Sequence, residues 1–143
     1  MGRQDEGLGF LLANVSRLMR QAFQQRLYGS SLTLAQARAL IYVSRHEGVR
    51  QVELAEFLEV QPITLARLLD QLAEAGFVER RPDPSDRRAY QIYLTPDASP
   101  QLAAIKKVAA AIRADALRGL GKQEAATLLS ALAKIQNNLA PRQ

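Results

Sequence analysis

The stretch FVERRPDPSDRRAYQIYL, Phe77 to Leu94, breaks the period of the chain around it. Phe77 to Arg81 is short and β-prone, and Pro82 to Asp86 is a cluster of turn formers. Ala89 to Leu94 alternates, so that Tyr90, Ile92 and Leu94 share one face. This pattern predicts a β-hairpin whose apolar face packs on the preceding segment while its PDPSDRR tip projects into solvent.

Upstream of the hairpin the apolar period is helical. Gln61 and Pro62 offer a cap and a proline at the first helical position, where a missing N–H is harmless. Leu65, Leu68, Leu69 and Leu72 then form a buried stripe, and Gly76 is placed to terminate the helix in a left-handed conformation. Before it, Gln51 to Leu58 sets Val52, Leu54, Ala55 and Leu58 against Glu53, Glu56 and Glu59, a short helix with an acidic exposed edge. Thr33 to Gln36 reads as a capping box opening a helix that runs to about His46 and stops at Gly48. A first helix spans Leu8 to Leu27, with Leu11, Val15, Leu18 and Ala22 at helical spacing and a break at Gly29, Ser30 and Ser31.

Downstream, Leu102, Ile105, Ala109, Ile112 and Ala116 mark a long fifth helix. Pro100 predicts an irregular first turn or a start nearer Ser99. After Gly119 and Gly121, a last helix from Lys122 carries Leu128, Leu132, Ile135 and Leu139 on a heptad seam. The first helix and the last two carry more apolar surface than the small central unit can cover. Packing across a homodimer interface that includes Leu11, Val15, Leu128, Leu132, Ile135 and Leu139 would bury it. Burial within one chain is the alternative, equally open for the fifth helix.

The expected fold class is therefore mainly α with a small β-hairpin (α+β). A winged helix-turn-helix occupies residues 32–95, helical dimerisation segments occupy 8–28 and 99–139, and all belong to one integrated domain over 1–143.

Composition narrows the function. The chain has no cysteine and a single histidine, His46, which excludes disulfides, thiolate chemistry and clustered histidine metal sites. No glycine-rich phosphate loop is present, and no nucleophile has a partner base, so neither an enzyme nor a cofactor is expected. The longest apolar run, Leu8 to Ala13, is too short to cross a bilayer and no cleavable leader precedes it. A cytoplasmic protein without a membrane partner is expected.

The formal net charge of +5 suits an anionic partner. Residues 61–93, however, hold five arginines and five carboxylates. Any DNA binding there must come from where the arginines sit, with basic helices outside the segment adding general attraction.

In a winged helix-turn-helix the second helix of the turn motif enters the major groove of double-stranded DNA by its N-terminal residues. That assigns Gln61, Pro62, Ile63, Thr64 and Arg67 to the DNA-facing side. Arginine forks onto guanine, glutamine reads adenine, and threonine meets a phosphate or a thymine methyl. At the hairpin tip, Arg87 and Arg88 suit a narrow A·T-rich minor groove, and Asp86 can hold a guanidinium or cap the turn.

Asp86-Arg87-Arg88, the alternating Tyr90-Gln91-Ile92-Tyr93-Leu94 and then Thr95 resemble the wing signature of the MarR family of bacterial transcriptional regulators. That signature is D-x-R or D-R-R, a strand, and L-T. The resemblance extends back through LLDQLAEAGFVERR and looks closest to the SlyA-like branch. It implies a homodimeric repressor straddling a pseudo-palindromic operator, commonly released by a small aromatic or lipophilic effector. On it, Arg87 matches the minor-groove arginine, Asp86 its orienting acid and Arg67 the basic residue of the recognition helix. The chain departs where many members have glycine after L-T, having Pro96, Asp97 and Ala98.

Two further readings stand beside this one. A winged-helix module that binds protein without reading bases is favoured by the acidic helix edge and the neutral charge of 61–93. For an effector, a cleft between the first two helices and the base of the fifth offers Arg17, Arg38 or Tyr42 to orient an anionic or phenolic ligand.

Overall fold

A computed structural model describes residues 7–141. The outermost residues of the unit expected over 1–143 lie outside the described residues. The elements run α1 Gly7–Leu27, α2 Leu34–Arg45, β1 Val49–Arg50, α3 Gln51–Leu58, α4 Pro62–Glu74, β2 Val78–Asp83, β3 Asp86–Leu94, a 3-10 turn Pro96–Ala98, α5 Ser99–Ala116 and α6 Lys122–Leu139. This is a mainly helical fold with a small antiparallel sheet.

Each boundary has a local cause. Thr33 accepts from the Gln36 amide at 3.1 Å while the Gln36 side chain accepts from the Thr33 amide at 2.9 Å, the reciprocal capping box that starts α2. Gln61 occupies the N-cap position of α4, but its side chain makes no capping bond. Pro62 removes one donor that would otherwise need a partner. Gly76, at φ +86°, turns the chain from α4 into the hairpin. In the turn between α3 and α4, Glu59 takes the left-handed conformation at φ 56°, a position usually given to glycine or asparagine. Pro100 falls in the first turn of α5, where no intrahelical bond is lost, and the 3-10 turn before it is the irregularity the sequence predicts.

The hairpin departs from expectation in two ways. Its strands run longer, so that Asp83 pairs with Asp86 and only Pro84 and Ser85 form the turn. Pro82 is tolerated inside β2 because that strand lies at the sheet edge, and the register shifts beside it. The sheet also has a third strand: β1 pairs with β3 through Val49 with Ile92 and Arg50 with Gln91, giving the order β1-β3-β2. Two residues are too short for alternation to reveal.

The core lies between α2, α3, α4 and the sheet. Leu40, Leu54, Leu65, Leu69, Leu72 and Ile92 are fully buried there, and α5 contributes Ile105. Each such side chain is worth about 1.5–3 kcal/mol of transfer free energy. Of the face expected on β3, Ile92 is buried, Leu94 is partly covered, and Tyr90, farther out, remains half exposed. Thr95 closes the hairpin base, donating its amide to the Phe77 carbonyl at 3.0 Å and its hydroxyl to the Gly76 carbonyl.

Helices α1 and α6 contribute little to this core. Leu27 is the one buried residue of α1, and no residue of α6 is buried. Among the described residues no helix is long and apolar enough to cross a membrane.

Candidate nucleic-acid interface

Burial of Leu65, Leu68, Leu69 and Leu72 fixes the rotation of α4 and leaves Gln61, Pro62, Ile63, Thr64 and Arg67 exposed. Ile63 is 66% exposed, an apolar side chain offered to whatever meets this helix end. The unpaired amides and dipole at the start of α4 favour an anion, so phosphate and base edges would both find partners there. Thr64 and Arg67 also line a shallow groove shared with Thr33 and Gln71.

At the tip of the wing formed by β2 and β3, the Arg88 side chain is 96% exposed. Its amide donates to Asp86 Oδ1 at 3.0 Å, and its guanidinium lies 3.9 Å from the same oxygen. Arg87 is exposed and makes no side-chain hydrogen bond or ion pair among the described residues. Asp86 thus faces Arg88 and not Arg87: at a residue of an extended strand, neighbour i+1 projects to the opposite side while i+2 shares the face.

The residue that orders the tip is Asp83. It is 3% exposed, and its Oδ1 accepts from the Ser85 amide at 2.9 Å and the Ser85 hydroxyl at 2.8 Å. Its Oδ2 lies 2.8 Å from Nε of Arg50. The angle there is not that of an aligned hydrogen bond, so the contact is a close ion pair. The Ser85 amide and hydroxyl, then Arg50, hold this carboxyl below the ordinary aspartate range against the opposing effect of burial. Only residue type could have hinted at this: an aspartate two residues before a serine in a turn is a common Asx pattern. Nothing in linear spacing connects it to Arg50.

Arg50, Pro62, Leu65, Arg88 and Tyr90 border one open groove of about 410 Å³. The start of α4 and the wing tip therefore flank the same depression.

A separate apolar cavity of about 480 Å³ lies between α1, α2, α5 and α6, lined by Met19, Phe23, Ile112 and Leu132 among others. Of the three polar residues expected in this cleft, Arg38 lines it. Arg17 instead bonds Asn14 on the outer side of α1, and Tyr42 stacks between His46 and Phe57, with ring centroids 4.4 and 4.1 Å away. Arg17 stands one residue, about 100° of helical rotation, beyond Ser16, whereas Arg20, one turn after Ser16, shares the cavity face. Burial, and then the like charge of Arg20, lower the affinity of the Arg38 guanidinium for its proton, while Glu59 acts the other way.

The residues expected at a dimer seam lie on uncovered faces. Leu11 and Val15 of α1 are 50% and 49% exposed, Leu128 and Leu139 of α6 are 39% and 80% exposed, and Leu132 and Ile135 are partly covered. Such contiguous apolar exposure is unusual for a monomer.

Residues 32–90 match the family model described as MarR family. Among solved structures, the chain is similar to a crystal structure of MarR at 31% identity and a TM-score of 0.82, covering 96% of this chain and 93% of that one. It is 40% identical to the transcriptional regulator PA3341, with a TM-score of 0.79 and coverage of 92% and 96%. The transcriptional regulator SlyA matches at 26% identity and a TM-score of 0.73, covering 90% of each chain, so no SlyA-like branch is singled out.

Proposed function

The chain belongs to the MarR family of DNA-binding transcriptional regulators, and on that premise we propose that it is a repressor that binds a pseudo-palindromic operator as a homodimer. Residues 32–95 form the reading unit, and 8–28 with 99–139 join the two copies. Arg67 and Gln61 read guanine and adenine in the major groove, Thr64 and Ile63 meet phosphate or thymine methyl, and Arg87 enters the flanking minor groove. The observation that supports this is the single groove bordered by Pro62 at the start of α4 and Arg88 at the wing tip.

Dimerisation through α1, α5 and α6 supplies the second half-site. The recognition helices must then stand roughly 34 Å apart to meet successive major grooves. A small aromatic or lipophilic effector held in the cavity between α1, α2, α5 and α6, with Arg38 and Arg20 facing its anionic or phenolic end, lowers DNA affinity by favouring a dimer with another spacing.

Selection of bound sequences from random DNA by the purified protein tests the reading. A palindromic consensus of about 16–20 base pairs is expected. Absence of enrichment would favour a protein-binding winged helix, for which the exposed Glu53, Glu56 and Glu59 edge of α3 is the available surface.

A further inference from the structure

Beyond Gln91 the wing is a two-stranded ribbon, since β1 supports β3 only at Gln91 and Ile92. Five further residues of β3, Asp86 to Tyr90, lie outward of that support together with Pro82 and Asp83. Ribbons of this kind are marginally stable alone and twist freely. What spans the gap is one side chain: Arg50 leaves the α3 N-cap position, where it makes no capping bond, and reaches the Asp83 carboxylate at the tip. Its Nη2 also lies 3.4 Å from Ser85 Oγ.

We infer that Arg50 is a positioning residue for DNA recognition: through Asp83 it braces the wing tip against the start of α3 and so presets where Arg87 points. The inference rests on the reading of Arg87 as a DNA contact. The Ser85 turn itself needs no charge at position 83, because an asparagine oxygen would accept the same two hydrogens. A buried carboxylate is explained by its partner, and that partner belongs to another element. Conversely, Arg50 faces the groove with its guanidinium neutralised by Asp83, so its contribution to binding is a fixed wing and not a free cation.

A wing that wanders binds through the fraction of time it spends correctly placed, so affinity falls by that fraction while the bound contacts remain the same. Asp83→Asn keeps the turn and removes the ion pair. With the full-length protein and a duplex carrying its selected consensus, Asp83→Asn and Arg50→Gln should each weaken binding about tenfold if roughly one wing in ten stays placed. The log–log salt slope should not change, and a random-sequence duplex of equal length should show a smaller loss. In an Arg87→Ala background both substitutions should lose most of their effect, which general destabilisation would not do.

The inference is overturned if Asp83→Asn binds as tightly as the parent, or weakens binding equally with and without Arg87. It is also overturned if Arg50→Gln lowers the salt slope by about 0.9 while Asp83→Asn strengthens binding, since Arg50 would then be a phosphate ligand. If Arg87→Ala alone leaves affinity unchanged, the reading beneath the inference has failed, and that result is distinct from failure of the brace.

Discussion

Arg80 of β2 donates to the Asp70 carboxylate of α4 at 2.6 Å and to the Ala66 carbonyl at 3.1 Å. The stalk of the wing is thereby tied to the outer face of α4, the helix proposed to read DNA with its first turn. Arg80→Ala should cost about 1 kcal/mol of stability, the worth of one partly exposed charged hydrogen-bond pair. Denaturant unfolding checks the stability, and hydrogen exchange should show faster opening of β2 than of α2.

The tip arginines should not be equivalent. Arg87 is free of Asp86, whereas Arg88 is held near it. Arg87→Ala should weaken operator binding more than Arg88→Ala at matched salt. Neither should change folding stability by more than about 0.5 kcal/mol, as expected of exposed residues near a strand end. Equal affinity losses measured by fluorescence anisotropy would contradict the assignment.

Arg67 stands on the exposed side of α4, set there by the burial of Leu65, Leu68 and Leu69. Arg67→Ala should relax base preference at one position per half-site by about 1–3 kcal/mol. A repeat selection from random DNA that returns the parental consensus would remove Arg67 from base reading.

Charge on the uncovered helical faces should oppose assembly. Leu128→Asp, or Leu11→Asp, should shift the protein toward monomer, because an ionised side chain at an apolar seam must be desolvated or must force the seam apart. Sedimentation reporting an undisturbed dimer would place the interface elsewhere.

Asp83 gives the wing a defined response to acid. Its carboxyl is held low in the folded chain by the Ser85 amide and hydroxyl, then by Arg50. A depressed folded value means the contribution is fully present above the unfolded aspartate value and is lost as pH falls through the folded one. The wing should therefore stay ordered through the neutral and weakly acidic range and loosen only below ordinary aspartate titration. Carboxyl chemical shifts followed by NMR should put the Asp83 midpoint below those of exposed aspartates. A midpoint at or above theirs would contradict the geometry.

What was legible in the sequence is what depends on near neighbours along the chain. The Thr33–Gln36 box, the stripe of Leu65, Leu68, Leu69 and Leu72, Gly76 after α4 and the period change at Phe77 all act within one or two turns, so spacing alone reveals them. They fix the helices, the hairpin and which side of α4 is exposed. The third strand was not legible, because Val49 and Arg50 become a strand only by pairing with Ile92 and Gln91.

The same limit applied at the functional surfaces. Local sequence marks Arg87, Arg88 and Asp86 as a charged tip, yet the alternation of an extended strand turns Asp86 toward Arg88. Helical phase put Arg20 and not Arg17 on the cavity, and aromatic packing drew Tyr42 away to His46 and Phe57. The brace between Arg50 and Asp83 joins residues that only the closed sheet brings within 2.8 Å. The chain by itself determined the elements and the exposed face of α4. Tertiary structure decided which charges meet, because ion pairs depend on distance through space and no periodicity encodes it.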